Sequence, residues 1–480
     1  MSRLRAFFNP STANPLRAPA RIFWTGFIVR VLYMTLAHTY RFRTIDDHFE
    51  FGWEMGRIAR ALATGRGFAD PFNGHSGPTA WTPPLYPLLI AASFKLFGVY
   101  TKLSAWAILV VNSIFSAMTA TAVYQIGWRC FGRDRRGMSI ALWSAWLWAL
   151  YPAAMQYAVK WVWDMSLTAF LFAWIIVLAL KLRGVGESSQ LSVHSSQSST
   201  AGANPAPIET TQLRTENLEL TPWLLFGLLW GLTALSNSSL LSFLPFCGLW
   251  IIWPALHTRT HVLRAFRGTT LAALCFLAVV SPWTIRNWHV FHAFVPMRSN
   301  FGAELYEATI FSNDGFPWMA TLPMAEKAPE FQRYEHMGEI AYSKAQGEHA
   351  KAAIRSHPRL FVRNAIQRIY FFWISVPHSL DAGILVEAVR RINFSFFSVT
   401  GWLGLILALR RRVPGGWLFF WAFAMIPLIY YFVTVQARFR HPLEPLICIL
   451  SVYLFQSADR TRIWSGDSLR KSLPLPDRRP

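Results

Sequence analysis

Long apolar runs recur from one end of this chain to the other, separated by short polar stretches, and no soluble core could absorb them all. Runs of this length, with few charges inside them, are what a bilayer demands of α-helices. Of the 480 residues 53% are hydrophobic and 16% aromatic, while only 15% are charged. The pattern therefore predicts an all-α polytopic membrane protein. The net charge of +21 raises the question of nucleic acid. However, the basic residues sit in short clusters between apolar runs, as the positive-inside rule expects, and form no stripe with a nucleic-acid motif. Cys130, Cys247, Cys275 and Cys448 all lie in or beside apolar segments. Their spacing fits no metal site and argues against a disulfide framework.

Full spans are expected at about 22–38, 103–125, 138–152, 164–181, 222–237, 239–256, 268–284, 394–409, 416–434 and 441–456. Two further apolar segments read as juxtamembrane or interfacial. Residues 83–97 reach only about 22 Å, short of a hydrocarbon core of about 30 Å. Residues 359–376 carry Arg359, Arg363 and Arg368 on an otherwise apolar helix. That leaves ten spans, or up to twelve if both of these cross. The N-terminal apolar run lacks a clear cleavage site and reads as a retained anchor. Arg30 lies inside it, where an arginine is costly and is expected to face the bundle interior.

The segments divide the chain. Residues 1–182 form an N-terminal module whose first outer loop is 39–98. A Ser-, Thr- and Gln-rich stretch, 183–221, reads as a disordered cytoplasmic loop. Spans occupy 222–284, a folded outer loop with juxtamembrane helices 285–376, further spans 377–457, and a basic cytoplasmic tail 458–480. Within the second outer loop a helix is expected from Pro329 to Ser356, ending before Pro358. With ten spans, both termini and every short basic cluster fall inside. The exception is the set of arginines in the first outer loop, which read as facing an anionic ligand or headgroups.

Thr44 to Gly98 is the stretch that looks like a site. Asp46, Asp47, Glu50 and Glu54 precede a helical pattern in which Met55, Ile58, Ala59 and Leu62 share a face. Spacing of i, i+4, i+7 would place Glu50, Glu54 and Arg57 together on the other face. The chain then runs through a Gly/Pro/Asn/Ser loop into WTPPLYPLL. An amphipathic interfacial helix with solvated charges would show the same pattern.

The order of these pieces resembles a known family. A cytoplasmic start, a membrane helix, an acidic outer loop, IARALATGRGF and PPLYPLLIAASFKLFG follow one another as they do in the C-type glycosyltransferases. The nearest branch is family 39, with the protein O-mannosyltransferases and lipid A aminoarabinose transferases. SPWTIRNW at Ser281–Trp288 resembles that family's exit into its large outer loop. WVWDMSLTAF at 161–170 resembles its acid-bearing second outer loop, and ARFRHPLEPL at 437–446 the start of its last span. The family usually carries Asp-Glu about seven residues before the Ile of the Ile-Ala-Arg helix. Here that Ile is Ile58, and the matching position is Phe51.

The resemblance implies sugar transfer from a polyprenyl-phosphate donor to a lipid, glycan or protein acceptor, at the outer face of a bacterial inner membrane. Membrane lipids are the other expected partners, and nucleic acid is not expected. The chemistry needs a carboxylate to take an acceptor proton and cationic donors for the leaving phosphate. Glu50 and Glu54 lead as base candidates, followed by Asp46 and Asp47. Asp164 resembles the second-loop acid that binds acceptor or ion. Arg438 and Arg440 resemble phosphate-side arginines, with Arg57 and Lys95 behind them; snorkelling at a helix start would equally account for Arg438 and Arg440. A divalent cation is left open, since the acids show no ligand spacing. The competing function is a transporter or flippase for lipid-linked or small solutes, which would favour internal repeats and polar mid-membrane helices; none is visible. A non-catalytic scaffold is third.

Overall fold

The computed structural model describes residues 18–132, 134–186, 208–257, 259–310, 322–323, 328–374 and 383–457. Among these the chain is helical, with one isolated bridge, Ala69 to Pro78, in the first outer loop. The expected N-terminal polar start, the middle of the 183–221 loop and the basic tail lie outside the described residues.

α1 (Ala18–Leu36) is followed by α2 (Glu54–Ala63) and the short α3 (Leu85–Phe97). α4 (Lys102–Phe131) and α5 (Arg135–Leu150) form a tight antiparallel pair, with α6 (Met165–Leu182) laid against α4. α7 (Ile208–Ala234) packs along α8 (Arg259–Phe291), and α13 (Ile384–Arg410) along α14 (Glu444–Ser457). Between them lie α9 (Phe301–Glu307), α10 (Pro329–Met337), α11 (Glu339–Ser356) and α12 (Pro358–Ile374). Small residues permit the close approaches. A Cβ on Gly227 would collide with the carbonyl of Ala272 across α7 and α8, and one on Gly404 with that of Leu450 across α13 and α14. Lipid supplies no hydrophobic drive between helices, so contact of this kind has to hold them together.

Among the described residues five helices are long and apolar enough to cross a membrane: Lys102–Phe131, Met165–Leu182, Ser238–Leu256, Val262–Phe291 and Ile384–Arg410. Leu85–Phe97 is apolar but short, as expected. Arg30 is fully buried, its guanidinium donating to the carbonyls of Gly26 (2.9 Å) and Ala149 (2.7 Å). It faces the bundle.

Several boundaries differ from the sequence reading. The last part of 183–221 is helical, because α7 begins at Ile208 and the helix-forming residues before Pro222 extend the span. SPWTIRNW does not end the seventh span. Pro282 is accommodated inside α8, and the outer loop starts only after Phe291. The Pro329–Ser356 helix is two helices broken at Gly338, whose φ of 77° no helix allows. The 416–434 span divides at Pro427 into Gly416–Met425 and Leu428–Phe432. The last span opens with a 3₁₀ segment, Ala437–Leu443.

Candidate active site

Four connections meet at one end of the bundle and enclose a cavity of about 460 Å³. Each contributes a charge. Glu54 comes from the start of α2, Asp164 from the residue before α6, Arg298 and Glu304 from the loop before α9 and α9 itself, and Arg438 from the 3₁₀ segment before α14. Trp81, Trp163, Asn237 and Tyr430 also face it.

Glu54 reaches the cavity because the chain breaks just ahead of it. Residues 45–48 form one helical turn and 49–51 a 3₁₀ turn. Gly52 (φ 87°) and Trp53 (φ 50°, ψ −115°) then reverse the backbone, and α2 starts at Glu54. A tryptophan in that conformation is strained and persists only where its surroundings enforce it. Gly52 is required as well, since a Cβ there would strike the carbonyl of Val162. The expectation that Glu50, Glu54 and Arg57 share one helical face is therefore wrong. Glu50 lies before the break and accepts the backbone N–H of Arg43 at 2.7 Å, outside the cavity. Asp47 is bound by Arg57 (3.2 Å) and Arg60 (2.7 Å) and braces α2 against the preceding turn. Arg57 is thus a buried ion-pair partner and does not line the cavity. The Asp46 side chain lies outside the described residues.

Asp164, the residue before α6, lines the cavity. Burial pushes its carboxyl up to about 6, against the opposing pull of Arg438 and Arg298. Burial raises the Glu54 carboxyl too, with Arg438 and Arg57 drawing it down. Arg438 lies 3.4 Å over the Trp163 ring and 5.3 Å from the Phe439 centroid. A guanidinium held between two aromatic faces is oriented without consuming its N–H donors.

Arg440 behaves differently. It is fully buried, donates to the Phe394 carbonyl (3.0 Å), the Ser398 hydroxyl and Glu444 (3.2 Å), and faces away from the cavity. Its expected phosphate role gives way to a structural one, joining α13 to α14. Lys95 is exposed on α3 and does not line the cavity. The site also contains residues the sequence reading missed. Glu304 accepts from Thr434 (3.0 Å) and Asn300 (3.1 Å), and Arg298 holds Asn300 at 2.6 Å. The motif SNFGAELYE contains Glu304, but its spacing gave no reason to prefer it. Among the described residues no three His, Cys, Asp or Glu side chains converge as a metal site would need.

No family model matches the sequence, and no curated protein matches it. Solved structures do match in shape. The oligosaccharyltransferase of Archaeoglobus fulgidus, tethered to an acceptor peptide, is 14% identical with a TM-score of 0.51, the match covering 93% of this chain and 51% of that one. The same archaeal enzyme, there called AglB, was solved with an inhibitory peptide and a dolichol-phosphate; it is 12% identical with a TM-score of 0.49, over 95% and 52%. ArnT from Cupriavidus metallidurans bound to undecaprenyl phosphate is 14% identical with a TM-score of 0.31, over 94% and 81%. The chain spans about half the length of the archaeal structures it matches. The first of these likenesses gives the fold: the helices are arranged as in a C-type glycosyltransferase.

Proposed function

We propose that the chain is a membrane glycosyltransferase that moves a sugar from a polyprenyl-phosphate donor to an acceptor on the outer face of the membrane. One observation carries this reading: Glu54, Asp164 and Arg438, from three separate loops, line one cavity. The oligosaccharyltransferase and ArnT structures, solved with a dolichol-phosphate and with undecaprenyl phosphate, suggest the donor class.

Glu54 takes the proton of an acceptor hydroxyl as its oxygen bonds to the anomeric carbon. The bond from that carbon to the phosphate oxygen breaks, and its electron pair leaves with the polyprenyl phosphate. Arg438, with Arg298 beside it, neutralises the charge that builds on the leaving phosphate. Asp164 holds the acceptor opposite.

The test uses the purified protein in liposomes with a panel of labelled polyprenyl-phosphate sugars and candidate acceptors. The expected result is loss of label from the lipid with release of free polyprenyl phosphate. Intact donor crossing the bilayer without cleavage would instead establish a flippase, and no turnover of any donor would leave the transferase reading without support.

A further inference from the structure

Glu339 is 5% exposed and begins α11, far from the cavity charges in sequence. Its carboxylate collects four donors. Oε1 accepts the Ala80 N–H and the Ser299 hydroxyl, each at 2.6 Å. Oε2 accepts the hydroxyls of Thr79 (2.5 Å) and Tyr334 (2.7 Å). An ionised carboxylate is acceptor-only and takes such a set with no lone pair wasted. Two of the donors come from the first outer loop and two from the second.

The partners are joined to one another as well. Ser299 N–H donates to the Ala80 carbonyl at 3.0 Å, and Ser343 on α11 donates to the Ser299 carbonyl at 2.5 Å. Thr79 Oγ1 accepts the Trp81 N–H at 2.9 Å, while Arg286 donates to the Thr79 carbonyl at 2.7 Å. Trp81 and Arg298, the chain neighbours of Ala80 and Ser299, line the cavity. Glu339 does not.

We infer that Glu339 is a positioning residue: its carboxylate pins the first outer loop to the second and so sets the cavity wall that carries Trp81 and Arg298. The identity of the ligand held by that wall rests on the proposed function; the pinning does not.

The experiment compares E339A, E339Q and T79V in detergent by hydrogen exchange and by undecaprenyl phosphate binding. In E339A, amides at 79–82 and 298–300 should exchange about tenfold faster or more, the scale of losing one charge-assisted hydrogen bond, while α4 and α6 keep their protection. Undecaprenyl phosphate affinity should fall about tenfold, a change of about 1.4 kcal/mol. E339Q should restore both. Its amide oxygen can take the Ala80 and Ser299 donors, and its NH₂ can donate to the two hydroxyls, which rotate to accept.

Unchanged exchange in E339A overturns the proposal. Faster exchange with unaltered affinity overturns the positioning role and leaves a structural contact only. If E339A fails to fold, T79V, which removes the Thr79 hydroxyl from Glu339, decides: faster exchange at the Ala80 and Ser299 amides, neither of which is bound by that hydroxyl, supports the proposal, and unchanged exchange there refutes it. If the wild type binds no undecaprenyl phosphate, that lipid is ruled out as the ligand of the wall, and the exchange data still decide the pinning.

Discussion

Replacing Arg438 with Gln should change the pH–rate profile as well as the rate. Arg438 is the cation that pulls down the carboxyls of both Glu54 and Asp164 against their burial. Removing an opposite charge from a carboxylate's surroundings raises its pKa by about 1–3 units. Asp164 stands at about 6, so in the variant it would titrate between about 7 and 9. The sign follows from the charge. A carboxylate that must be ionised to act supports catalysis above its pKa and fails below it, so the acid limb moves to higher pH. At pH 7 the ionised fraction would drop from about nine-tenths to between about one-half and one-hundredth. Loss of stabilisation at the leaving phosphate adds about 10²–10³ in kcat. The two effects separate in the assay. Following polyprenyl phosphate release from pH 5 to 9.5, the first deficit recovers at high pH and the second does not. An acid limb in R438Q that coincides with that of the wild type would refute the electrostatic coupling of Arg438 to the two acids.

Other substitutions divide the remaining roles. E54Q, which keeps the shape at the start of α2, should lose about 10²–10⁴ in kcat with the protein still inserted; near-normal turnover would remove Glu54 as the base. R440Q should lower thermal stability, by at most about 3–5 kcal/mol, because it breaks a buried ion pair and the bonds to Phe394 and Ser398 while His441 stays at 2.6 Å from Glu444. The fraction that folds should keep its KM for the lipid donor, and a raised KM would return Arg440 to the phosphate site. A single cysteine introduced within 190–205 should react with membrane-impermeant maleimide only after the cells are opened; labelling from outside would overturn the proposed orientation.

The helices were legible because apolar runs and basic clusters follow directly from the solvent the chain must live in. Leu85–Phe97 was recognisable as too short to span, and Arg30 as inward-facing, for the same reason. The site was legible only in part. Asp164 and Arg438 could be found because each sits where a polar connection meets a span. Glu50 and Glu54 could not be told apart, since the distinction rests on Trp53 adopting a strained backbone, for which its side chain carries no signal. Arg438 and Arg440 look equivalent in sequence, yet a 3₁₀ turn directs one to the cavity and the other to Glu444, four residues on. Arg298, Glu304 and Glu339 were missed because their partners lie in distant loops, and no local spacing records such a pairing.

The cavity's charges arrive in chain order, and that order bears on how the protein is made. A chain emerging from its N-terminus delivers Glu54 first, then Asp164, then Arg298 together with Glu304. Arg438 comes last, just ahead of α14. Until then Glu54 has Arg57 to draw on and Asp164 has Arg298, which is also drawn to Asn300 and Glu304. Burial still raises both carboxyls against these partners, so the cavity is short of positive charge until Arg438 is in place. Docking of the final helix brings both the missing cation and, through Arg440, the bond to α13. The charge balance of the cavity is thus completed by the same segment that ties α13 to α14.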